Sequence, residues 1–390
     1  MEDPRRERTT PAAPTGGEPD FVPLFNRRIA GLFLDAVIQS LPRPAEALRL
    51  LQLRGAQRRA ARLRSANRAQ GLHVPPLVIA SITRRCNLHC AGCYSRAFTS
   101  TPEPELRFEE WRRILAEASD LGTSIAMIAG GEPFARPDLL QLTRDFPEMV
   151  FPVFTNGLLI DEAVIGELRR QRHVIPILSL EGRAVDTDDR RGRGVHDRVI
   201  GTAALLKRKG LFFGTSVTLT RLNFESAVSP ETVDDLRRAG SRLVVYVEYT
   251  PIEAGTEDLT LTAEQKARVS RLSGELSGRR RPLVIAFPGD ETQYGGCLAA
   301  GRGFLHISPE GRLEACPFAP FSDTGLRRVS LREALASPLL RILRENHALL
   351  TEDSGGCALW NRKEWVRSLL DRPRPAPPFR PEHPAVEIKA

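Results

Sequence analysis

The sequence contains no apolar run that approaches the ~20 residues needed for a helix to cross a membrane. Its first residues include Glu2, Asp3 and Pro4 without a following apolar core, so we do not expect a signal peptide. Cysteine is scarce: six cysteines in 390 residues cannot build a disulfide scaffold, and three lie too close together to pair. These absences predict a cytoplasmic globular protein with one large domain and a smaller one.

Positive charge is concentrated in one stretch of the chain. Residues 41–70 contain eight arginines and one acid, Glu46, and so carry +7 of the net charge of +8. The rest of the chain is nearly neutral, which disfavours nucleic acid as a partner. An apolar helical stripe at 25–41 precedes this stretch. Two interpretations remain open for residues 25–70: a peripheral contact with anionic lipid headgroups or an acidic partner, or a solvated arginine face on a helix that packs across the main domain.

Composition and pattern divide the chain into five segments. Residues 1–20 are predicted to be a disordered tail, 21–75 a basic helical extension, 76–260 the core, 282–370 a small C-terminal domain, and 371–390 a proline-rich tail.

Apolar strand-like runs alternate with helical stretches through the core. The predicted strands are 77–82, 124–129, 149–154, 174–180, 212–219 and 243–249, and the helices between them include 108–120, 161–171, 198–209 and 231–239. Strands separated by helices at this spacing predict a parallel sheet with right-handed crossovers. The expected fold class is therefore α/β, a partial (β/α)6 TIM-like barrel whose site residues lie in the loops that follow the strands.

Three cysteines follow the first predicted strand. Cys86, Cys90 and Cys93 form a C-x3-C-x2-C array. Thiolates packed this closely in a reducing compartment indicate a soft metal centre. Three ligands from one loop suit a cubane iron–sulfur cluster whose fourth iron is left open. Zinc is the alternative, but structural zinc takes four protein ligands and no fourth is near.

This cysteine motif resembles the cluster-binding loop of the radical S-adenosylmethionine (SAM) superfamily. In that family SAM chelates the open iron of a 4Fe-4S cluster, and electron transfer cleaves SAM to a 5'-deoxyadenosyl radical that abstracts a hydrogen atom. The resemblance implies both cofactors here. The family usually has an aromatic residue just before the third cysteine, where this chain has Gly92. The aromatic residue is displaced to Tyr94, which the resemblance places on the adenine side of SAM.

The second and fourth strand ends carry further residues of the resemblance. Gly130, Gly131, Glu132 and Pro133 follow the second strand, where paired glycines allow close approach of a ligand and the glutamate supplies an acceptor. Alone this motif is weak evidence, but its position matches the family motif that meets the methionine amino group of SAM. After the fourth strand, the resemblance assigns Ser179 to the SAM ribose and Arg191 to its carboxylate, which an arginine fork binds in a bidentate way. The alternative is that Arg191 is an ordinary loop charge.

The remaining cysteines lie in the C-terminal third. Cys297 and Cys316 flank a predicted hairpin that turns at Pro309–Gly311, and Cys357 follows later. This pattern is similar to the SPASM and twitch auxiliary-cluster domains of many radical SAM enzymes, in a shortened form. The resemblance implies a small α+β, twitch-like domain with a second 4Fe-4S cluster on these three cysteines. The alternative is a set of buried structural thiols.

The sequence thus predicts a radical SAM enzyme of unidentified substrate: a small molecule, a lipid or a peptide. Peptide-maturing members usually carry an N-terminal peptide-binding module, which residues 1–70 do not resemble, so the sequence disfavours a peptide. An electron donor such as flavodoxin or ferredoxin is the expected partner. The competing function is a non-catalytic iron–sulfur or zinc redox sensor. A sensor needs no SAM site, so the Gly130–Pro133 loop argues against this function. No second catalytic group can be named from the sequence.

Overall fold

The computed structural model describes residues 21–97, 103–276, 282–287, 296–350 and 357–371. The two predicted tails, 1–20 and 371–390, lie outside these residues apart from Asp371. None of the described helices combines the length and the apolar character that crossing a bilayer requires.

The chain forms nine strands and fifteen α-helices within the described ranges. The strands are β1 Leu77–Thr83, β2 Ile125–Gly130, β3 Phe151–Thr155, β4 Val174–Leu180, β5 Gly214–Leu219, β6 Leu243–Glu248, β7 Leu283–Phe287, β8 Phe304–Ile307 and β9 Leu313–Glu314. The helices are α1 Phe21–Ser40, α2 Pro44–Ala69, α3 Tyr94–Ala97, α4 Phe108–Leu121, α5 Leu139–Arg144, α6 Glu162–Arg170, α7 Ala184–Arg191, α8 Val195–Arg208, α9 Phe224–Ala227, α10 Pro230–Ala239, α11 Ala263–Leu276, α12 Leu331–Leu335, α13 Pro338–Glu345, α14 Ala358–Asn361 and α15 Lys363–Leu370.

The strands form one sheet in the order β7-β6-β5-β4-β3-β2-β1-β8-β9, in which every pair is parallel except β8 with β9. The predicted α/β fold with a partial TIM-like barrel is confirmed. The barrel has one more core strand than expected, because β7 pairs in parallel with β6. The sequence pattern assigns this five-residue run to the C-terminal domain instead. Such a short apolar run carries no signal of which neighbour it pairs with.

Helices α1 and α2 cover the N-terminal ends of the barrel strands. Phe33 of α1 and Leu53 of α2 are buried in one cluster with Val150, Ile175 and Phe212, which lie at or just before the starts of β3, β4 and β5. Burying a leucine or phenylalanine side chain contributes about 1.5–3 kcal/mol. The two helices therefore close the end of the barrel opposite the strand C-termini, in agreement with the interpretation of a helix packed across the main domain.

The C-terminal hairpin extends the core sheet. The predicted hairpin is confirmed by β8 and β9, and β8 also pairs in parallel with β1, with Ile79 opposite His306. Ser81 Oγ lies 2.7 Å from His306 Nε2, and His306 Nδ1 lies 2.7 Å from Glu314 Oε2. All three side chains are buried. This hydrogen-bonded chain ties the hairpin to the strand that leads into the cysteine loop.

Replacing His306 with alanine is expected to lower the free energy of unfolding by about 2–4 kcal/mol, because Ser81 and Glu314 would stay buried without their shared partner. Urea denaturation of the cluster-free protein measures the change. The matched control is His196→Ala, since His196 pairs with the exposed Asp197 and its loss should cost less than about 1 kcal/mol. Equal effects of the two substitutions would contradict a stabilising role for the buried chain.

Candidate active site

A cavity of about 1390 Å³, including its mouth, lies at the C-terminal ends of the barrel strands. Parallel strands end at the same edge, so loops that are distant in sequence meet there. The floor includes Val245 and Val247 of β6 together with Phe154 of β3. The same three side chains belong to or pack against the apolar cluster that also contains residues of α1 and α2. The helical extension therefore supports the cavity from below.

The cysteine loop forms one wall of this cavity. Cys86, Cys90 and Cys93 all line it, and the charges of Cys90 and Cys93 act on the Cys86 thiol. Although Cys86 is exposed as a residue, burial of its sulfur raises the pKa of the thiol. The loop is fixed by the Ala91 backbone N–H, which donates to the Arg190 carbonyl oxygen at 2.9 Å.

The predicted glycine–glutamate loop forms the next wall. Gly130, Gly131 and Glu132 line the cavity, whereas Pro133 does not and instead starts a short 3-10 turn. A Cβ atom at position 131 would lie 2.3 Å from the Arg85 carbonyl oxygen. Only glycine fits there, because the backbone of this loop runs directly against the backbone that leads into the cysteine loop.

Glu132 is a buried acceptor held in a fixed orientation. Its Oε1 accepts hydrogen bonds from Thr155 Oγ1 at 2.7 Å and from the Phe134 N–H at 3.0 Å, and its Oε2 accepts one from the Asn156 N–H at 2.8 Å. Burial raises the pKa of the carboxyl group, and these hydrogen bonds oppose the rise. A carboxylate with two oxygens has acceptor capacity beyond these three bonds, which suits an ammonium ligand.

The Arg191 guanidinium is engaged within the protein. Its Nε and Nη2 lie 2.8 Å and 2.6 Å from Glu181 Oε1, and Arg190 Nη1 lies 2.5 Å from the same oxygen. Arg191 Nη1 faces Cys90 Sγ at 4.0 Å. Glu181 engages the Nε–Nη2 side of this guanidinium, so an external carboxylate would have to meet its Nη1–Nη2 end. Arg191 lines the cavity, and its carboxylate role stays a prediction.

Ser179 and Tyr94 also line the cavity. The Ser179 hydroxyl lies 3.3 Å from that of Ser216, and its ribose role stays a prediction. Tyr94 is half-buried as a residue, and burial of its hydroxyl raises the pKa to about 12. The Tyr94 ring packs edge-on against Phe318, with ring centroids 5.2 Å apart.

The space beside Gly92 is filled by an aromatic ring from another strand end. A Cβ atom at position 92 would lie 2.5 Å from Tyr249 Oη and 2.7 Å from Tyr249 Cε2. An aromatic ring from the end of β6 therefore lies beside the position just before the third cysteine, where the resemblance leads us to expect an aromatic side chain. Tyr249 is the last residue of the predicted strand 243–249, which makes it only a weak candidate for the cavity wall, and sequence reasoning does not identify Phe318 at all. A contact between positions so distant in the chain leaves no local signal in a single sequence.

The three C-terminal cysteines lie near one another. Cys297 and Cys316 are buried and Cys357 is half-buried. The Cys316 thiol is hydrogen-bonded with Cys357 and interacts electrostatically with Cys297. Burial, followed by these neighbouring sulfurs, raises the pKa of Cys316 well above its usual value. Pro317 and Phe318, which directly follow Cys316, line the same cavity as the first cysteine group, whereas the three C-terminal cysteines are not among its lining residues.

The raised pKa of Cys316 predicts slow alkylation of the cluster-free protein at neutral pH. Only the thiolate reacts, and a raised pKa means that the thiolate appears at higher pH than in an ordinary cysteine. The iodoacetamide rate at Cys316 should be less than about one-tenth of that of a model thiol at pH ~7.5. It should still be rising with pH after the model rate has levelled off. Mass spectrometry of the Cys316 peptide in fully denatured protein provides the control, because there the rate should return to that of the model thiol.

Both cysteine groups have the donor chemistry of iron–sulfur sites. Among the described residues, no three His, Cys, Asp or Glu side chains are gathered as they would be around a single metal ion. In a cubane cluster each thiolate binds a different iron, so its ligands need not converge on one point. Three soft thiolates beside a backbone cradle at Gly131 and a fixed acceptor at Glu132 fit a cluster that shares its open iron with an amino-acid ligand.

Comparisons with known proteins agree with this geometry. The family model described as "Radical SAM superfamily" matches residues 80–229. The chain is 28% identical to the PqqA peptide cyclase of Granulibacter bethesdensis over 272 residues, which cover 66% of this chain and 72% of the relative. It is 24% identical to the AdoMet-dependent heme synthase of Methanosarcina barkeri over 289 residues, covering 67% and 82%.

Solved structures support the fold. Streptococcus suis SuiB bound to S-adenosylmethionine aligns with a TM-score of 0.59 at 19% identity, covering 73% of this chain and 71% of SuiB. The matched family region contains the cysteine loop, the Gly130–Glu132 loop and the fourth strand end, which are three of the segments that line the cavity. The chain therefore carries a radical SAM domain over residues 80–229, and it is an enzyme that uses a 4Fe-4S cluster and SAM.

Proposed function

We propose that this radical SAM enzyme oxidises a peptide, with a second cluster on Cys297, Cys316 and Cys357. The carrying observation is the edge-on contact between Tyr94 and Phe318. Tyr94 follows Cys93 directly, and Phe318 lies two residues after Cys316. The first cysteine group lines the cavity in which a substrate would meet SAM, and Cys316 of the second group lies two residues before Phe318, which lines the same cavity.

A 4Fe-4S cluster and SAM held in this cavity would together supply radical chemistry, that is, reductive cleavage of SAM followed by abstraction of a hydrogen atom from the substrate. The protein holds the reactants in place. Cys86, Cys90 and Cys93 hold the first cluster, and Gly131 lets SAM approach the backbone. Glu132 accepts a hydrogen bond from the amino group of SAM. Apolar side chains, Met127 and Phe287 among them, line the cavity and limit the access of water to the radical.

The second cysteine group supports an oxidative outcome. A substrate that has lost a hydrogen atom becomes a closed-shell product once it also loses one electron and one proton. A cluster on Cys297, Cys316 and Cys357 would accept that electron. Electrons for SAM cleavage come from a donor such as flavodoxin or ferredoxin, in a cytoplasm that keeps all six thiols reduced.

Support for a peptide comes from the relatives. The PqqA peptide cyclase is named for a peptide, and its match extends over two-thirds of this chain. The sequence argument against a peptide is the lack of an N-terminal peptide-binding module, and α1 and α2 are indeed occupied in closing the barrel. A peptide would then reach the cavity through its mouth, without a separate module among the described residues. A small molecule is the second candidate, favoured by the match to a heme synthase.

Deuterium transfer separates the two candidates even while the substrate is unidentified. Reconstituted enzyme, SAM and dithionite are incubated with the peptide fraction or the small-metabolite fraction of a perdeuterated bacterial extract. Carbon-bound deuterium does not exchange with water, so deuterated 5'-deoxyadenosine reports abstraction from the substrate. We expect at least about 10-fold more label from the peptide fraction than from the same fraction hydrolysed to amino acids. Label from small metabolites alone would reject the peptide.

A second experiment tests the auxiliary cluster. The Cys297→Ala/Cys316→Ala/Cys357→Ala variant should lose about four of about eight irons while still cleaving SAM. An iron count equal to that of the unmodified protein would reject the second cluster and leave structural thiols. The exposed Leu222→Ala variant serves as the control for handling losses during anaerobic reconstitution, since Leu222 lies far from either cysteine group in sequence and is 78% exposed.

A further inference from the structure

Exposed apolar side chains cluster around the connection between α1 and α2. Leu34, Ile38 and Leu41 follow one another at the spacing of one helical face, and Leu48 and Leu51 do the same at the start of α2. These five side chains are 44–63% exposed. All of them lie within about two helical turns of the connection at residues 41–43. They therefore form one apolar tip, which is here called the hairpin tip.

The outer face of α2 continues from this tip as a basic surface. Residues 48, 51, 55, 58 and 62 recur at intervals of three and four, so Leu48 and Leu51 share a helix face with Arg58 and Arg62. Both arginines are exposed. Residues 21–70 contain ten arginines and only two acids, Asp35 and Glu46, and so carry a net +8, the same as the whole chain.

We infer that the hairpin tip and the arginine face of α2 form a docking surface for an anionic lipid bilayer. Leucine and isoleucine side chains enter the headgroup region while the arginines contact lipid phosphates. Charge argues against a second copy of the chain as the occupant, because two such surfaces would bring the exposed arginines of one copy, Arg58 and Arg62, against those of the other. The helices lie on the bilayer and do not cross it.

The geometry separates docking from catalysis. The inner faces of α1 and α2 pack on the starts of the strands, whereas the cavity lies where the strands end. A bilayer at the hairpin tip would therefore leave the mouth of the cavity at the far end of the barrel. This arrangement fits an enzyme held at a membrane surface and acting on a substrate from the aqueous side. It does not fit a lipid substrate delivered from the bilayer to which the enzyme is bound. The inference does not rest on the peptide proposal.

Vesicle flotation of the full chain tests the docking surface. The probes are vesicles of phosphatidylcholine alone and vesicles with about one-third phosphatidylglycerol. We expect at least about 10-fold more protein to float with the anionic vesicles, and this excess to fall when salt rises from ~0.1 M to ~0.5 M. Two variants, Arg58→Glu/Arg62→Glu and Leu41→Ser/Leu48→Ser/Leu51→Ser, should each lower binding by at least about 10-fold.

Matched controls carry the same chemical changes away from the hairpin tip. Arg237→Glu/Arg238→Glu reverses two exposed charges on α10, and Leu222→Ser removes an exposed leucine from the loop after β5. Both should float as well as the unmodified protein. The inference is overturned if no more of the full chain floats with anionic vesicles than with neutral ones, or if control and hairpin variants lose binding equally. Dimerisation in sedimentation experiments that the leucine variant abolishes would assign the surface to a second copy instead.

Discussion

Replacing Cys93 with alanine is expected to lower the rate of 5'-deoxyadenosine formation by more than about 1000-fold, equivalent to about 4 kcal/mol of activation free energy. The reason is that Cys93 is one of only three thiolates in the loop on the cavity wall. Removing one leaves the first cluster with too few ligands, and without that cluster no electron reaches SAM. The measurement is anaerobic incubation of the reconstituted variant with SAM and dithionite, followed by chromatography of the products.

The matched control is Cys316→Ala, which removes a thiol from the second group. It should keep SAM cleavage within about 10-fold of the unmodified enzyme while altering the iron count, since Cys316 does not belong to the first loop. A Cys93→Ala variant that cleaves SAM at the original rate would contradict the assignment of the first cluster. Iron in the unmodified protein without any SAM cleavage would bring back the redox-sensor interpretation.

The second large effect concerns Glu181, whose side chain is almost completely buried. Its Oε1 pairs with Arg190 and Arg191, and its Oε2 accepts a hydrogen bond from the Thr218 N–H at 2.9 Å. Glu181→Ala would leave two guanidinium groups in a largely buried site without a counter-charge. We expect the free energy of unfolding to fall by about 3–5 kcal/mol. Chemical denaturation of the cluster-free protein gives this value directly.

The Glu181 substitution should also disturb the cluster site. Arg190 receives a hydrogen bond from Ala91 inside the cysteine loop through its carbonyl oxygen, so a displaced Arg190 would loosen that loop. Iron content after reconstitution should fall together with stability. Glu162→Ala is the control, because Glu162 pairs with Lys209 on the surface, and exposed pairs contribute less than about 1 kcal/mol. A Glu181 variant as stable as the control would refute a stabilising role for the buried ion pairs of Glu181 with Arg190 and Arg191.

Much of the cavity was predictable because its residues follow apolar strands. Once the strands are identified, the C-terminal ends of parallel strands must share one edge, and this places Cys86–Cys93, Gly130–Glu132 and Ser179 together without any further information. The sequence also indicated the C-terminal hairpin, because the turn residues Pro309–Gly311 separate two apolar runs. In the structure Gly311 adopts a positive φ of 89° at this turn. These are local signals, carried by neighbouring residues.

Contacts between distant segments were not predictable. The Tyr249 ring fills the space beside Gly92. Glu181 forms an ion pair with one side of the Arg191 guanidinium, and the Phe318 ring packs against Tyr94. Each depends on how far a loop travels after its strand ends, which hydrophobic periodicity does not encode. The pairing of β8 with β1 belongs to the same group, because a four-residue strand gives no indication of its neighbour.

The pairing of β8 with β1 has a consequence for how the molecule is made. Strand β1 emerges from the ribosome early, but its second edge stays open until residues 304–307 have been synthesised. Contacts this far apart in sequence are slow to form, and an unpaired central strand invites pairing with other chains. The cysteine loop that follows β1 therefore waits for the C-terminal hairpin before its support is complete. We therefore expect the support of the cysteine loop to be completed late in the folding of the whole chain.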